Sequence, residues 1–177
     1  MNGRRFIYSA SFGLFVKSSY ATPQNIKNVL GRLAYYLECA RELPSVQPYH
    51  MKITDDAGNV REGDYLFGVV SNSTSIGGFL HYRPEEVDLS DGLHEVLLIR
   101  YPKNLSQLQQ TVLSVLSGNY DAEGIERFRA SRLRIACDNM PEWSLDGERC
   151  VPGNEIVIEN IPSAVEFLVP GNTKIAS

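Results

Sequence analysis

Apolar residues recur at the spacing of one helical face in two segments of the chain. The first segment follows Thr22 and Pro23, a pair that favours the start of a helix, and we expect a helix of about 20 residues there. The second begins at Asn104, with Gln107 at the spacing of a capping box, and Gly118 is suited to end it. The pattern therefore predicts two main helices.

Outside these segments, apolar and polar residues alternate with the period of a β-strand. Strands are predicted at residues 5–20, in a hairpin over 50–72, and at 94–100, 131–137, 142–146, 148–151, 155–160 and 164–169, with a short helix over 122–128. No strand–helix–strand unit repeats, which favours an antiparallel sandwich or distorted barrel with helices packed on it. The predicted class is α+β, mostly β, with residues 1–177 forming a single domain.

Composition narrows the classes of function. The chain has 177 residues with 17 Lys plus Arg and 21 Asp plus Glu, a net charge of −4, so broad nucleic-acid binding is not expected. No apolar run reaches about 18 residues, the length of a membrane-spanning helix. Cys39, Cys137 and Cys150 are widely spaced and are interpreted as reduced structural thiols. We expect a soluble, cytosolic domain, and no glycine-rich phosphate-binding motif is present.

Two Asp-Gly turns could carry chemistry. In the first, Asp88 and Asp91 lie three positions apart in a tight loop before a strand, and such a loop can offer carboxylate and carbonyl oxygens to Mg²⁺. In the second, Glu148 follows Asp146-Gly147 and opens a strand, where it could serve as a general base. An ordinary turn and an exposed hairpin carboxylate are the alternatives, and local sequence alone favours them. Trp143 is interpreted as a core anchor.

Several segments together are similar to one known family. They are Arg5–Gly13, a helix motif made of Tyr20–Gln24 together with Lys27–Tyr35, Phe67–Gly78, Asp91–Leu93 and Trp143–Glu148. Five motifs in the right order are specific, although each is weak alone. In them the chain resembles the carboxyl-terminal domain of the bacterial diacylglycerol kinase-like lipid kinases, relatives of sphingosine kinases and, more distantly, of NAD kinases. The resemblance implies the β-sandwich-like second domain of that fold.

The resemblance also implies a reaction and its residues. Such kinases transfer the γ-phosphoryl group of ATP to a lipid hydroxyl, for example that of diacylglycerol. Glu148 matches the family's general base. Asp91, with the main-chain carbonyls of Asp88 and Leu93, matches a structural Mg²⁺ site. Ser90 stands where the family more often has a second Asp, which removes a nearby charge.

In this family ATP binds to an amino-terminal domain that carries a Gly-Gly-Asp-Gly-Thr segment, and residues 1–177 contain no match to it. The chain is therefore expected to be a truncated fragment or the product of a divided gene, inactive alone. Its implied partners are a membrane lipid and its own nucleotide-binding domain, with no nucleic acid and with a homodimer left open. The implied location is cytoplasmic, peripheral to the inner face of the membrane.

The sequence leaves two questions open. Residues Tyr35, Tyr36, Phe79 and Tyr82 could line a lipid route, but core packing is the alternative for each. A non-catalytic β-sandwich module that binds lipid or a partner is the alternative function.

Overall fold

The computed structural model describes residues 1–13, 47–77 and 80–165. Within these ranges the chain forms eleven strands, one α-helix and a 3₁₀ turn at Pro84–Glu86. The strands are β1 (Ser9–Gly13), β2 (Tyr49–Asp55), β3 (Val60–Ser71), β4 (Ser75–Ile76), β5 (Leu80–His81), β6 (His94–Arg100), β7 (Ile125–Ala130), β8 (Arg132–Cys137), β9 (Trp143–Leu145), β10 (Glu148–Cys150) and β11 (Glu155–Glu159). The helix is α1 (Leu105–Ser117).

Nine strands form one antiparallel sheet, and β3 is its central strand. The order β10-β9-β1-β3-β2-β8-β11 runs along one path, and β6 joins the other edge of β3 and carries β7. The first half of β3 pairs with β2 and the second half with β1, on the same edge. The register of β3 against β6 shifts between Tyr65 and Phe67, and a bulge of this kind bends a strand. The sheet therefore curls at β3, which pairs with β2 through its first half and with β1 through its second half.

Strands β3 and β6 bury side chains on both faces. Val70, Val96 and Leu98 belong to a first core on one face of the curled sheet. This first core also contains Phe12 and Trp143. The alternate residues Phe67, Val69, Leu97 and Ile99 belong to a second core under α1. Burial on both faces explains why β3 from Tyr65 to Val70 and β6 from Val96 to Ile99 are nearly continuous apolar runs. The fold is mostly β with a helix packed on a curled antiparallel sheet, as predicted.

Helix α1 has the predicted ends. The main-chain N–H of Gln107 donates to the Asn104 side chain over 2.9 Å, and the Gln107 side chain accepts the N–H of Lys103 over 2.8 Å. Gly118 has the left-handed conformation with φ of 72°. The first predicted helix, together with Cys39, Tyr35, Tyr36 and Phe79, lies outside the described residues. Tyr82 is buried in the second core, so packing is its role.

Three of the helices and strands predicted from the sequence differ from the structure. The helix predicted over 122–128 is wrong, because Ile125–Ala130 forms the strand β7. This strand pairs with the outer edge of β6 from His94 to Ile99. The strand expected over 5–20 begins only at Ser9, and residues beyond 13 lie outside the described ranges. The strand expected at 164–169 is not formed in its described part, because residues 161–165 form no strand. Residues 166–169 lie outside the described ranges.

Candidate functional site

The Asp146-Gly147 turn joins β9 to β10 as a two-residue hairpin loop. Leu145 and Glu148 are directly paired across it. Asp146 and Gly147 both have positive φ, 50° and 92°, as a type I′ turn requires. Asp-Gly is a preferred sequence for this turn, so the local sequence determines the hairpin and places Glu148 at the first position of β10.

The Asp146 side chain ties this turn to the start of the chain. Its carboxylate accepts the main-chain N–H groups of Ile7, Tyr8 and Ser9 over 2.6, 2.8 and 2.8 Å. The main-chain N–H of Asp146 donates in return to the carbonyl of Ser9 over 2.9 Å. Charge-assisted hydrogen bonds of this kind are among the stronger ones. The turn is therefore held from outside as well as by its own strands.

Glu148 is exposed and stands on a rigid support. The partner strand β9 begins at Trp143, which is completely buried and whose ring centroid lies 4.9 Å from that of Phe12. This contact confirms the interpretation of Trp143 as a core anchor. Arg149, the next residue, forms an ion pair with Glu142. A carboxylate in this position can reach a substrate in solvent without moving the backbone.

The Asp88–Leu93 loop is shaped by its own side chains. The Asp88 carboxylate accepts both the main-chain N–H and the hydroxyl of Ser90, over 2.9 and 2.7 Å. These two bonds lower the pKa of Asp88 below its ordinary value of 3.8. Asp91 accepts the N–H of Leu93 over 2.8 Å through Oδ1, and its Oδ2 lies 3.3 Å from Nη1 of Arg129. Ser90 therefore replaces the expected second carboxylate with a hydrogen bond that braces the loop.

Two asparagines hold this loop to the sheet. The Asn72 side chain donates to the carbonyl of Leu89, and the Asn160 side chain donates to that of Leu93, both over 3.2 Å. The main-chain N–H of Asn72 also donates to the carbonyl of Tyr8 over 3.1 Å. Since Tyr8 is bound by Asp146, a continuous hydrogen-bonded path joins the two Asp-Gly motifs. The structure thus connects the turn that precedes Glu148 to the loop that contains Asp91.

Glu95 is a site residue that sequence reasoning missed. It lies on β6, two positions after Leu93, and none of its surface is exposed. Neither of its carboxylate oxygens has a hydrogen-bond partner. Burial raises the pKa of this carboxyl group to about 7, with a further contribution from the Asp91 carboxylate. The available signal was a single acidic residue directly before the apolar run from Val96 to Ile99.

The loop residues fit a hard divalent cation. Among residues 1–13, 47–77 and 80–165 no cluster of three His, Cys, Asp or Glu side chains could hold a metal ion. A cation here would therefore rest on one carboxylate, Asp91, and on carbonyls such as those of Asp88 and Leu93. Each oxygen of Asp91 has one partner here, and a carboxylate oxygen has two lone-pair sites, so capacity for a cation remains. Oxygen donors are those that Mg²⁺ prefers.

The fold and these motifs define a known class of domain. Residues 10–169 match the model of the YegS C-terminal NAD kinase beta sandwich-like domain. The match covers most of the chain, and the chain belongs to this family. The resemblance noted from the sequence is thereby confirmed.

Individual relatives agree with this placement. The chain is 30% identical to a diacylglycerol kinase of Bacillus subtilis over 149 residues, which cover 84% of the chain and 48% of that protein. It is 25% identical to a diacylglycerol kinase of Staphylococcus saprophyticus over 177 residues, 98% of the chain and 56% of the relative. The chain thus spans about half the length of these curated relatives.

Solved structures show the same fold. The crystal structure of a diacylglycerol kinase from Bacillus anthracis superposes with a TM-score of 0.57 at 20% identity, covering 88% of this chain and 50% of that one. Within the described residues, no helix is both long enough and apolar enough to cross a membrane.

Proposed function

We propose that this chain is the lipid-substrate side of an ATP-dependent lipid kinase, which transfers the γ-phosphoryl group of ATP to the hydroxyl of diacylglycerol or a similar lipid. Family membership and the names of the relatives support the kinase class. The observation that carries the proposal is the hydrogen-bonded path from Asp146 through Tyr8 and Asn72 to Leu89. This path joins a candidate base to a candidate cation loop.

Glu148 is the proposed general base. Its carboxylate would accept the proton of the lipid hydroxyl as the hydroxyl oxygen attacks the γ-phosphorus and the bond to the β-phosphate oxygen of ATP breaks. Phosphoryl transfer depends mainly on the positioning of the reactants, and a base on a braced hairpin keeps its position. The exposed side chains of Ile7 and Tyr8 adjoin the same turn, so apolar surface lies beside the candidate base.

Asp91, with the carbonyls of Asp88 and Leu93, is the proposed holder of a structural Mg²⁺. When bound there, Mg²⁺ would supply positive charge that organises the loop. Asn160 orients the carbonyl of Leu93, and Asn72 fixes the loop through Leu89. The protein residues therefore preset the direction of the donors before a cation arrives.

The remaining parts of the proposal concern the whole protein. We place the ATP phosphates mainly on a separate nucleotide-binding domain, so this chain alone is expected to be inactive. Net charge is −4, and overall basicity therefore cannot attract the chain to an anionic bilayer. Peripheral contact with the cytoplasmic face of the membrane would then depend on local surface or on the nucleotide-binding domain.

The test uses the whole protein with radiolabelled ATP and a panel of diacylglycerol, sphingoid base, phosphatidylglycerol and undecaprenol. Glu148→Gln should lower turnover about 10²- to 10⁴-fold, the usual contribution of a general base, while circular dichroism and Tm stay unchanged. Glu155→Gln is the matched control, since Glu155 is an exposed strand carboxylate that pairs with Arg134. Full activity of Glu148→Gln would refute the base assignment. Failure of the wild-type protein to phosphorylate any lipid of the panel would refute the kinase proposal.

A further inference from the structure

Glu95 is a buried carboxylate between two strands. Its Cα partners are Ser71 on β3 and Arg129 on β7, so these three side chains share one face of the sheet. Glu95 has no exposed surface, and neither of its oxygens has a hydrogen-bond partner. Burying a carboxylate without a partner is costly, so a residue of this kind calls for a compensating charge.

The neighbouring arginines are already engaged with other acids. Nη1 of Arg127 lies 2.8 Å from Oε2 of Glu86, and Nη1 of Arg129 lies 3.3 Å from Oδ2 of Asp91. Glu86 is also paired with Arg83, whose Nε lies 3.9 Å from Oε1 of Glu86. Of the three carboxylates, Glu95 is the one left without an ion pair among the described residues. Arg129 is directly opposite Glu95 in the ladder, although its Nη1 is directed to Asp91.

We propose that Arg129 is shared between Asp91 and Glu95, and that Glu95 is a positioning residue for the Asp88–Leu93 loop. A divalent cation held by Asp91 repels the guanidinium beside it. Glu95 then receives Arg129, so the buried carboxylate gains its partner at the moment when Asp91 gains the cation. This inference rests on the cation site of the proposed function and goes beyond it by assigning the acceptor for the displaced arginine.

The arrangement has a physical consequence for cation affinity. In the absence of Glu95, cation binding would leave Arg129 without a carboxylate, and the loop would lose an anchor to β7. With Glu95 present, the number of ion pairs is conserved when the cation binds. Glu95 and Arg129 should therefore be energetically coupled in cation binding, although Glu95 itself touches neither the cation nor a substrate.

Calorimetric titration of the intact protein with Mg²⁺ at about pH 8 tests the coupling. We expect Glu95→Gln to bind Mg²⁺ about 3- to 10-fold more weakly than the wild type, and we expect the same substitution to change affinity less than 2-fold in an Arg129→Gln background. Glu126→Gln is the control, because Glu126 is a similarly inward carboxylate on β7 that pairs with Arg100 instead. It should leave Mg²⁺ affinity unchanged.

A second measurement needs no change at Glu95. The carboxyl ¹³C resonance of Glu95 should shift on addition of Mg²⁺ to the wild-type protein and should stay fixed in Arg129→Gln. Equal Mg²⁺ affinity of the wild type and Glu95→Gln, or an unmoved Glu95 resonance, would overturn the sharing of Arg129 while the cation site stands. If Asp91→Ala binds Mg²⁺ as tightly as the wild type does, the proposed cation site is refuted and this inference is refuted with it. The lipid-phosphorylation assay reports separately on the kinase proposal.

Discussion

The carboxylate of Asp146 lies 2.6 Å from the main-chain nitrogen of Ile7, although the two residues are 139 positions apart in the chain. The same side chain accepts the next two N–H groups, those of Tyr8 and Ser9. Glu148 follows Asp146 by two positions. The placement of the candidate base therefore depends on the first ten residues as much as on its own hairpin.

Asp146→Asn should weaken this connection without destroying the turn. Asparagine tolerates the positive φ of 50° at this position, but it removes the negative charge that three N–H donors share. We expect the free energy of unfolding to fall by about 1–2 kcal/mol in urea denaturation. If the proposed function holds, lipid phosphorylation by the whole protein should slow as well, because the proposed base Glu148 loses its support.

Asp138→Asn provides the comparison for this change, since Asp138 is an exposed aspartate just after β8. It should leave both stability and turnover unchanged. An Asp146→Asn protein with wild-type stability would show that the negative charge of Asp146 adds nothing to these hydrogen bonds.

Asp55 should make the domain sensitive to acid. Burial by itself would raise the pKa of this carboxyl group, but hydrogen bonds from Asn59 and Arg61 outweigh it, so the pKa lies below its ordinary value of 3.8. A group with a lowered folded pKa stabilises the protein above its unfolded pKa and loses that contribution as pH falls through the folded pKa. We therefore expect the free energy of unfolding to decline as the pH drops below about 4.

The measurement is urea denaturation at several pH values for the wild type and for Asp55→Asn. The variant should be about 1–3 kcal/mol less stable at neutral pH and should show a flatter profile below pH 4. Asp121→Asn, a change at an exposed position, should keep the wild-type profile. Parallel profiles for wild type and Asp55→Asn would contradict the assignment.

Tyr120 fastens the short strand β5 to the end of α1. Its hydroxyl donates to the carbonyl of His81 and accepts the N–H of the same residue, each over 3.0 Å. Tyr120→Phe leaves both main-chain groups without this partner, which should lower Tm by about 2–10 °C. Tyr8→Phe serves as the control because Tyr8 is 62% exposed. Equal melting temperatures for wild type and Tyr120→Phe would mean that water replaces the hydroxyl at no cost.

Gly68 is needed for close packing in the first core. A Cβ at this position would overlap the Phe12 ring and would lie 2.9 Å from Cδ2 of Leu98. Phe12 is itself held against Trp143, so the ring has little room to retreat. Gly68→Ala should therefore cost about 1–3 kcal/mol of unfolding free energy. Gly153→Ala, where a Cβ meets nothing within 4 Å, should be neutral by the same chemical denaturation.

Elements with strong local signals were predictable from the sequence. The capping residues of α1 and the turn between β2 and β3 depend on contacts within a few positions. The β7 strand was mistaken for a helix because its conformation is imposed by β6, and the pairing from Ile99–Ile125 to His94–Ala130 is not encoded in local periodicity. Tertiary pairing overrode a weak local preference there.

The candidate site likewise contains residues that the sequence could indicate and residues that it could not. Asp91 and Glu148 stand in recognisable motifs, and resemblance to a family was enough to select them. Asn72 lies in the matched segment Phe67–Gly78, but that resemblance gave it no role. Arg129 and Glu95 carry no motif, and their contribution depends on register between strands that are distant in sequence. A buried carboxylate in an apolar strand was visible in the sequence, but its lack of a partner could be seen only after folding.

The position of β1 has a consequence for synthesis of the protein. This strand contributes residues 9–13 and lies between β3 and β9, and β9 begins at Trp143. At about 5–20 residues per second, a ribosome takes roughly 7–26 s to make the intervening stretch. During that time one edge of β1 has no partner, and an open strand edge invites association with other chains. Growing chains of this domain are therefore expected to need protection, for example by a chaperone, until the Asp146 hairpin emerges.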